Sequence, residues 1–376
     1  MKVIKQKKSN PINNTNENSI LSIDMSNLHN NWKELNKKIK NSELAVSIKA
    51  NAYGLGYEQV AKELITIGCG TFFVATYNEA LAIRKLNNSV KIFLLSNSYS
   101  KDLNYTLIMN NIYLVINNKR DLKKINNLSK LFKKKIKCAL QFDVGMSRLG
   151  FDFADLDYVS KYLKRSIDVN LIIAHLSCSE DKNSQYNKTQ INIFKKIKKY
   201  FDKYNFSFSL ANSNAVYLGK EYHYDMCRVG GLLYGLNLTK NLPKGIKTVT
   251  TLKSKILQIR SVAKGCSIGY GASYIVKKNS KIATLGIGYA DGIPRNYNGY
   301  ALYKGKKIRF VGNISMDLSN LDVTNVTNIN ENDWVEIFSD NLSINMLANK
   351  CNTISYEIVS RLGNRVERVY LYNKSR

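Results

Sequence analysis

The sequence predicts an α/β fold, an N-terminal (β/α)8 TIM barrel followed by a C-terminal mainly-β domain. Three observations carry this reading. Short apolar runs recur with helical patterns between them. Polar residues gather at the C-terminal ends of those runs. From residue 245 onward the texture changes to short strands separated by Gly, Asn and Asp turns.

In chain order the runs are residues 44–49, 71–75, 90–96, 112–116, 138–144, 170–177, 206–213 and 226–230, eight in all. Spacers such as YEQVAKELITIG and NEALAIRKL place apolar residues three and four apart, the helical period. Strands alternating with helices predict a parallel sheet. An open doubly wound sheet accommodates the same alternation, but no G-x-G-x-x-G follows the first strand. Lys49, Asp143, His175, Ser213 and Arg228 all fall at or just after the end of a run, and a barrel brings such residues to one mouth.

Beyond the barrel, TLKSKILQIRSV, KIATLGIGYADG, IRFVGNISMDLSNLDV and DWVEIF read as strands of a second domain. The early SILSIDMS has the same texture and is expected to pair with it. The domains are therefore a disordered polar tail over 1–17, a strand segment over 18–27, the barrel over 28–244 and the β-strand domain over 245–376.

Composition narrows the class. With 376 residues and 44% hydrophobic content the chain can bury a core, which excludes global disorder. No apolar run approaches the roughly 18–20 residues that cross a bilayer. The polar opening has no signal-peptide core, so a cytoplasmic setting and no membrane partner are expected. Six widely spaced cysteines form no C-x-x-C pair and read as buried thiols in a reducing compartment, with no metal site. The net charge of +29 invites a nucleic-acid reading. Its lysines are dispersed, however, and KLFKKKIK and FKKIKKY read as solvated helix faces. With no RNP, zinc-finger or KH signature, no specific nucleic-acid partner is expected.

The stretch AVSIKANAYGLG ends a core strand in a lone lysine, Lys49. Such a lysine is most often a snorkelling surface residue. At a barrel mouth, burial disfavours its charged form, and the neutral amine can then bond an aldehyde. Asn51 and Tyr53 supply polar neighbours, while Gly54 and Gly56 permit a tight turn.

This stretch resembles the cofactor-lysine motif of the alanine racemase family, fold-type III enzymes that use pyridoxal 5′-phosphate (PLP). The resemblance extends in order over nearly the whole chain. QFDVGMSRLG supplies Arg148, AHLSCSED supplies His175, ANSNA supplies Asn212 and Ser213, and CRVGGLLYGL supplies Arg228, Gly230 and Gly231. GYGASY supplies Tyr270, IGYADG supplies Tyr289, NISMD supplies Met316 and Asp317, and NTISYE supplies Tyr356.

The resemblance implies a role for each. Lys49 holds PLP as an internal aldimine and serves as the base on the D face, with Tyr270 on the L face. Tyr53, His175, Asn212, Ser213, Arg228, Gly230, Gly231 and Tyr356 contact the cofactor. The paired glycines are expected to turn into a helix whose unpaired N–H groups receive the phosphate. Arg228 faces the pyridine nitrogen, where a guanidinium keeps that nitrogen unprotonated; related decarboxylases carry a carboxylate there. Arg148 and the backbone N–H of Met316 bind the substrate carboxylate, and Tyr289 narrows the entrance. A phenol is a poor base at neutral pH, so His175 and Arg228 are expected to support the Tyr270 phenolate.

One position departs from the family pattern. Where many members carry a carbamylated lysine, this chain has Gln141. An amide cannot form a carbamate, so Gln141 is expected to accept a hydrogen bond from Arg148, or a bound anion such as chloride to replace the charge. Activity independent of bicarbonate is the corollary.

The implied activity is the interconversion of L-alanine and D-alanine for peptidoglycan. The implied partners are a small amino-acid substrate and a second copy of the chain in a head-to-tail homodimer. Tyr270, Tyr289 and Met316 then complete the other subunit's site. A broader-specificity amino-acid racemase shares every motif. A decarboxylase is disfavoured by Arg228 and Tyr270, and a non-catalytic PLP carrier by the second domain.

Overall fold

The computed structural model describes residues 17–39, 41–96, 101–163, 167–239 and 241–372. The polar tail therefore lies, up to residue 16, outside the described residues. The chain divides into two compact units: one from Trp32 to Leu233, the other joining the residues up to Asn31 with those from Tyr234 onward.

Strand β1 (Ser19–Asp24) and the helix Met25–Ile39 open the described chain. Eight strands then build the first unit: β2 (Glu43–Ser47), β3 (Thr71–Val74), β4 (Lys91–Leu94), β5 (Tyr113–Ile116), β6 (Ile136–Gln141), β7 (Ile167–Ile173), β8 (Ser207–Ser209) and β9 (Met226–Val229). They form one parallel sheet in the order β8-β7-β6-β5-β4-β3-β2-β9. Its two ends meet. Asp225 N–H donates to Phe208 O at 3.0 Å and Arg228 N–H to Ala211 O at 2.9 Å, which closes the barrel.

Strand period places one residue of nearly every strand inside. Ala45, Phe73, Phe93, Val115, Ala139, Leu171, Ile173 and Met226 form a single buried cluster. Within it Phe73 stacks on Phe93 with centroids 4.8 Å apart. The interior is thus packed below the mouth, and the chemistry is confined to the C-terminal strand ends. Around the barrel run the amphipathic helices Tyr57–Thr66, Tyr77–Leu86, Lys119–Phe132 and Gln185–Phe201.

In the second unit, β10 (Thr250–Val262), β11 (Ser267–Ile268), β12 (Tyr274–Ile275), β13 (Ser280–Leu285), β14 (Tyr300–Tyr303), β15 (Lys306–Phe310), β16 (Ser319–Asp322), β17 (Trp334–Phe338) and β18 (Glu367–Leu371) come next in the chain. The large sheet has the order β13-β16-β15-β14-β17-β10-β1-β18, and β13 also pairs with β10. The long β10 does this in two halves. Its first half lies between β1 and β17, and after a bulge near Ile256 its second half pairs with β13. Strand β1 lies antiparallel to β10 and parallel to β18.

Several expectations need correcting. KLFKKKIK is not one helix face: the helix ends at Phe132, Lys133 takes a left-handed φ of 50°, and Ile136 begins β6. The cysteines are not uniformly buried, because Cys266 is exposed in the turn after β10 and Cys178 and Cys351 are half-buried. The second unit also contains two short helices, Ile344–Lys350 and Ser355–Ser360, that the strand-like texture did not announce.

Candidate active site

At the end of β2 the backbone makes an unusual turn. Ala50, Asn51, Ala52 and Tyr53 all have φ between 52° and 55°, a left-handed turn of four non-glycine residues. Each such residue costs about 1–2 kcal/mol for an L-amino acid, so the surroundings must hold it. Ala52 N–H donates to Ile48 O at 2.9 Å and Gly54 N–H to Ala50 O at 2.8 Å. Gly54 and Gly56 carry the chain out at φ of 88° and 97°. The Asn51 carboxamide accepts the Tyr57 N–H at 2.9 Å, so its oxygen anchors the next helix. Lys49 opens this turn, half-buried. Burial lowers its pKa, and the charge of Arg148 lowers it further, against an opposing pull from Glu79. A larger share of neutral amine is available there than on an exposed lysine.

Tyr53 turns inward. Burial raises its phenol, with a hydrogen bond from Ser47 acting the other way. The ring comes so close to Gly230 that a Cβ there would lie 2.4 Å from Tyr53 Oη. This approach needs glycine.

Beside that contact, Gly230 N–H donates to Ser213 Oγ at 2.8 Å. The expected helix after Gly231 is absent; residues 231–235 form a turn, and Gly235, at φ 69°, redirects the chain. The donors survive without the helix. Among the described residues the Gly231 and Leu232 N–H groups find no acceptor, although both residues are buried. Buried unpaired amides call for a partner, and consecutive ones suit an anion. Asn212 braces the facing loop, its Oδ1 accepting from Ser179 Oγ at 2.7 Å and from Ala215 N–H at 3.1 Å.

Arg228, in β9, is 9% exposed. Its Nη1 donates to Ser209 O at 2.8 Å and to Ser209 Oγ at 2.6 Å, and Nη2 donates to Ala174 O. No carboxylate pairs with it among the described residues. The guanidinium lies 5.8 Å from the Phe73 ring centroid, and burial pushes its pKa down to about 10. A buried cation held only by neutral acceptors is costly, and an aromatic nitrogen lone pair is a ligand that suits it.

Arg148 projects from a loop that Asp143 folds. One Asp143 oxygen accepts Gly145 N–H at 2.9 Å and Met146 N–H at 2.8 Å, the other Ser147 N–H at 2.9 Å. Of the two alternatives for Gln141, a hydrogen bond accepted from Arg148 is absent among the described residues, and its amide Nε2 donates to Leu149 O at 3.0 Å. Arg148 itself is exposed and makes no hydrogen bond or ion pair among the described residues. Its charge still reaches His175. Burial, then Arg228, Arg148 and Lys49, push the imidazole down to about 3.

His175 is accordingly expected to stay neutral from pH 8 to pH 5, with no imidazole titration in that range by NMR; a midpoint near 6.5 contradicts this placement. The folded value lies below the unfolded one, so the unfolded chain takes the proton first. Stability from this residue is present above pH 6.5 and lost as the pH falls towards 3.

The remaining predicted residues belong to the second unit. Tyr270 stands 71% exposed in a short 3-10 turn between Gly269 and Gly271, Met316 is 54% exposed and Tyr289 is 41% exposed. The 313–316 loop gathers them: Asn313 Nδ2 donates to Tyr270 O at 3.0 Å, Tyr289 N–H to Ser315 O at 3.0 Å and Ala290 N–H to Met316 O at 3.0 Å. The Met316 N–H has no acceptor among the described residues. Asp317 is tied to Arg365 at 2.7 Å, which also holds the buried Asp291 at 2.8 Å. Tyr356 lies half-buried in the helix Ser355–Ser360.

Comparison with known proteins decides the kinship. The model for the alanine racemase N-terminal domain matches residues 23–238, and that for the C-terminal domain matches residues 249–370. The chain belongs to the alanine racemase family. It is an enzyme of the isomerase class, an amino-acid racemase. The alanine racemase of Rickettsia bellii (strain RML369-C) is 38% identical over 88% of this chain and 82% of its own. That of Rickettsia akari (strain Hartford) is 36% identical over 93% and 98%. Among solved structures, the alanine racemase from Bartonella henselae with covalently bound pyridoxal phosphate superposes with a TM-score of 0.89 at 31% identity, over 94% of this chain and 99% of that one. The biosynthetic alanine racemase from Pseudomonas aeruginosa gives 0.87 at 29% identity, over 95% and 100%.

Groups to which the resemblance assigns no role also build this candidate site. Ser209 and the Ala174 carbonyl hold Arg228, Ser47 reaches Tyr53, and Glu79 reaches the Lys49 turn. Only Glu79 had a readable signal, the Thr76-x-x-Glu79 pattern of a capping box.

Proposed function

We propose that the chain interconverts L-alanine and D-alanine with PLP bound in the barrel mouth, and that it supplies D-alanine for peptidoglycan. The observation that carries the cofactor reading is the pairing of a buried, carboxylate-free Arg228 with the unpaired amides of Gly231 and Leu232. One suits a pyridine nitrogen and the other a phosphate. Lys49, its pKa lowered, is the amine that would bond the cofactor aldehyde. Tyr53, His175, Asn212, Ser213, Gly230 and Tyr356 complete the cofactor's surroundings. When bound, PLP withdraws electrons from the substrate α-carbon and makes its proton removable.

The fate of that proton is set by the chain's own residues. Lys49 Nζ takes or gives it on the D face and Tyr270 Oη on the L face, exchanging roles with the direction of reaction. Arg228 cannot release its proton at working pH, so it would donate to the ring nitrogen of the cofactor and hold that nitrogen unprotonated. A guanidinium at that place would make the bound cofactor a weaker electron acceptor and would favour quick return of the proton. Arg148 and the Met316 N–H receive the substrate carboxylate, and Tyr289 restricts side-chain size.

The exposed Tyr270, Tyr289 and Met316 support a head-to-tail homodimer, in which this patch is covered by a second copy. The test is incubation of each alanine isomer with PLP in deuterated water, following optical rotation and α-proton exchange. Convergence of both isomers to the deuterated racemate is expected. No reaction with either isomer overturns the proposal.

A further inference from the structure

Glu79 lies in none of the elements to which the resemblance assigns a role, yet its carboxylate holds two neighbouring βα turns together. It sits in the first turn of the helix Tyr77–Leu86, directly after β3, and β3 pairs in parallel with β2, whose end leads into Lys49. One oxygen, Oε2, accepts Ala75 N–H at 2.8 Å and Thr76 N–H at 3.1 Å, while Thr76 Oγ1 accepts Glu79 N–H at 3.3 Å. That much is a capping box. The other oxygen leaves the helix and accepts Ala50 N–H at 2.7 Å. Ala50 is the residue after Lys49 and the first of the four left-handed residues.

We propose that Glu79 is a positioning residue for Lys49: one carboxylate oxygen pins the left-handed turn that presents the lysine, and the other pins that turn to the adjacent βα unit. The inference rests on Lys49 being the cofactor-bonding residue and adds what fixes its backbone. A charge-assisted bond is stronger than a neutral one, which suits a segment whose dihedrals are unfavourable by themselves. Electrostatics agree with the geometry. Arg148 acts on Lys49 as a like charge, and Glu79 is the carboxylate that opposes it. Arg228 is a further cation, His175 is neutral, and the Asp143 carboxylate is occupied by its own loop.

The test uses cofactor-free protein and two readouts: the pH dependence of Lys49 acetylation, read by peptide mass spectrometry, and amide hydrogen exchange over residues 50–53. Glu79→Gln offers one acceptor oxygen for two and no charge. Its Lys49 midpoint is expected to fall by about one pH unit, and exchange at Ala50 to rise about tenfold. Glu79→Asp keeps the charge but shortens the reach, so exchange rises while the midpoint moves less. Glu58→Gln, which removes a surface carboxylate paired with Lys62, leaves both unchanged. A folded Glu79→Gln protein with unaltered midpoint and exchange overturns the proposal. Should neither Glu79 variant fold, the unaltered protein decides: a protected Ala50 amide upholds the clamp, and exchange at the rate of an open loop removes it. Neither readout requires PLP, so failure to bind the cofactor counts against the proposed function alone.

Discussion

Lys49→Ala is expected to abolish racemisation in both directions, lowering turnover by at least about 10⁴-fold. The substitution removes together the amine that would bond the cofactor and the base proposed for one face of the substrate. Intact-mass analysis after borohydride reduction should show no covalently retained PLP, against one equivalent in the unaltered protein. Lys49 is not among the residues with positive φ, so alanine introduces no backbone strain and the thermal midpoint should be kept. Retention of covalent PLP by Lys49→Ala would transfer the role to another lysine and undo the assignment of the site.

Tyr270→Phe should separate the two halves of the reaction. Racemisation is expected to fall about 10²- to 10⁴-fold, the usual contribution of one positioned acid or base. Exchange of the α-proton of D-alanine with deuterated water should persist, because the proposed mechanism gives that face to Lys49, whereas exchange from L-alanine should nearly cease. The hydroxyl sits on a largely exposed ring, so stability should change by no more than about 0.5 kcal/mol. Equal loss of exchange from both isomers would mean that Tyr270 acts in binding and not as a base.

The barrel was legible because its strands announce themselves locally. Each of the eight apolar runs overlaps an observed strand, three of which begin one to three residues earlier, and the polar residues placed at their ends, from Lys49 to Arg228, do stand at or near the barrel's C-terminal ends. The sequence hid what depends on contacts between distant segments. Nothing near Gln141 says that a returning loop will offer it the Leu149 carbonyl, and nothing near Arg228 names Ser209 and Ala174 as its acceptors. The left-handed run was hidden for another reason. Ala50 and Ala52 are strong helix formers, and only the flanking Gly54 and Gly56 hint at positive φ. Lysine tracts misled in the opposite way, since KLFKKKIK has a helical period but straddles a helix end and a strand start.

The place of β1 has a consequence for how the polypeptide matures on the ribosome. Every strand of the barrel has been synthesised once Val229 emerges, so that unit can begin to close during translation. Strand β1 is made before any of them, yet its partners, β10 and β18, arrive only after Thr250 and Glu367. A buried strand must therefore wait, with one edge bare until Thr250 and the other until Glu367 has been made. During that interval it is a natural client for a holding chaperone and a natural site for aggregation. A fragment that starts at residue 245 lacks β1 and leaves facing edges of β10 and β18 open, so the sheet of the second unit needs residues from both sides of the barrel in the chain.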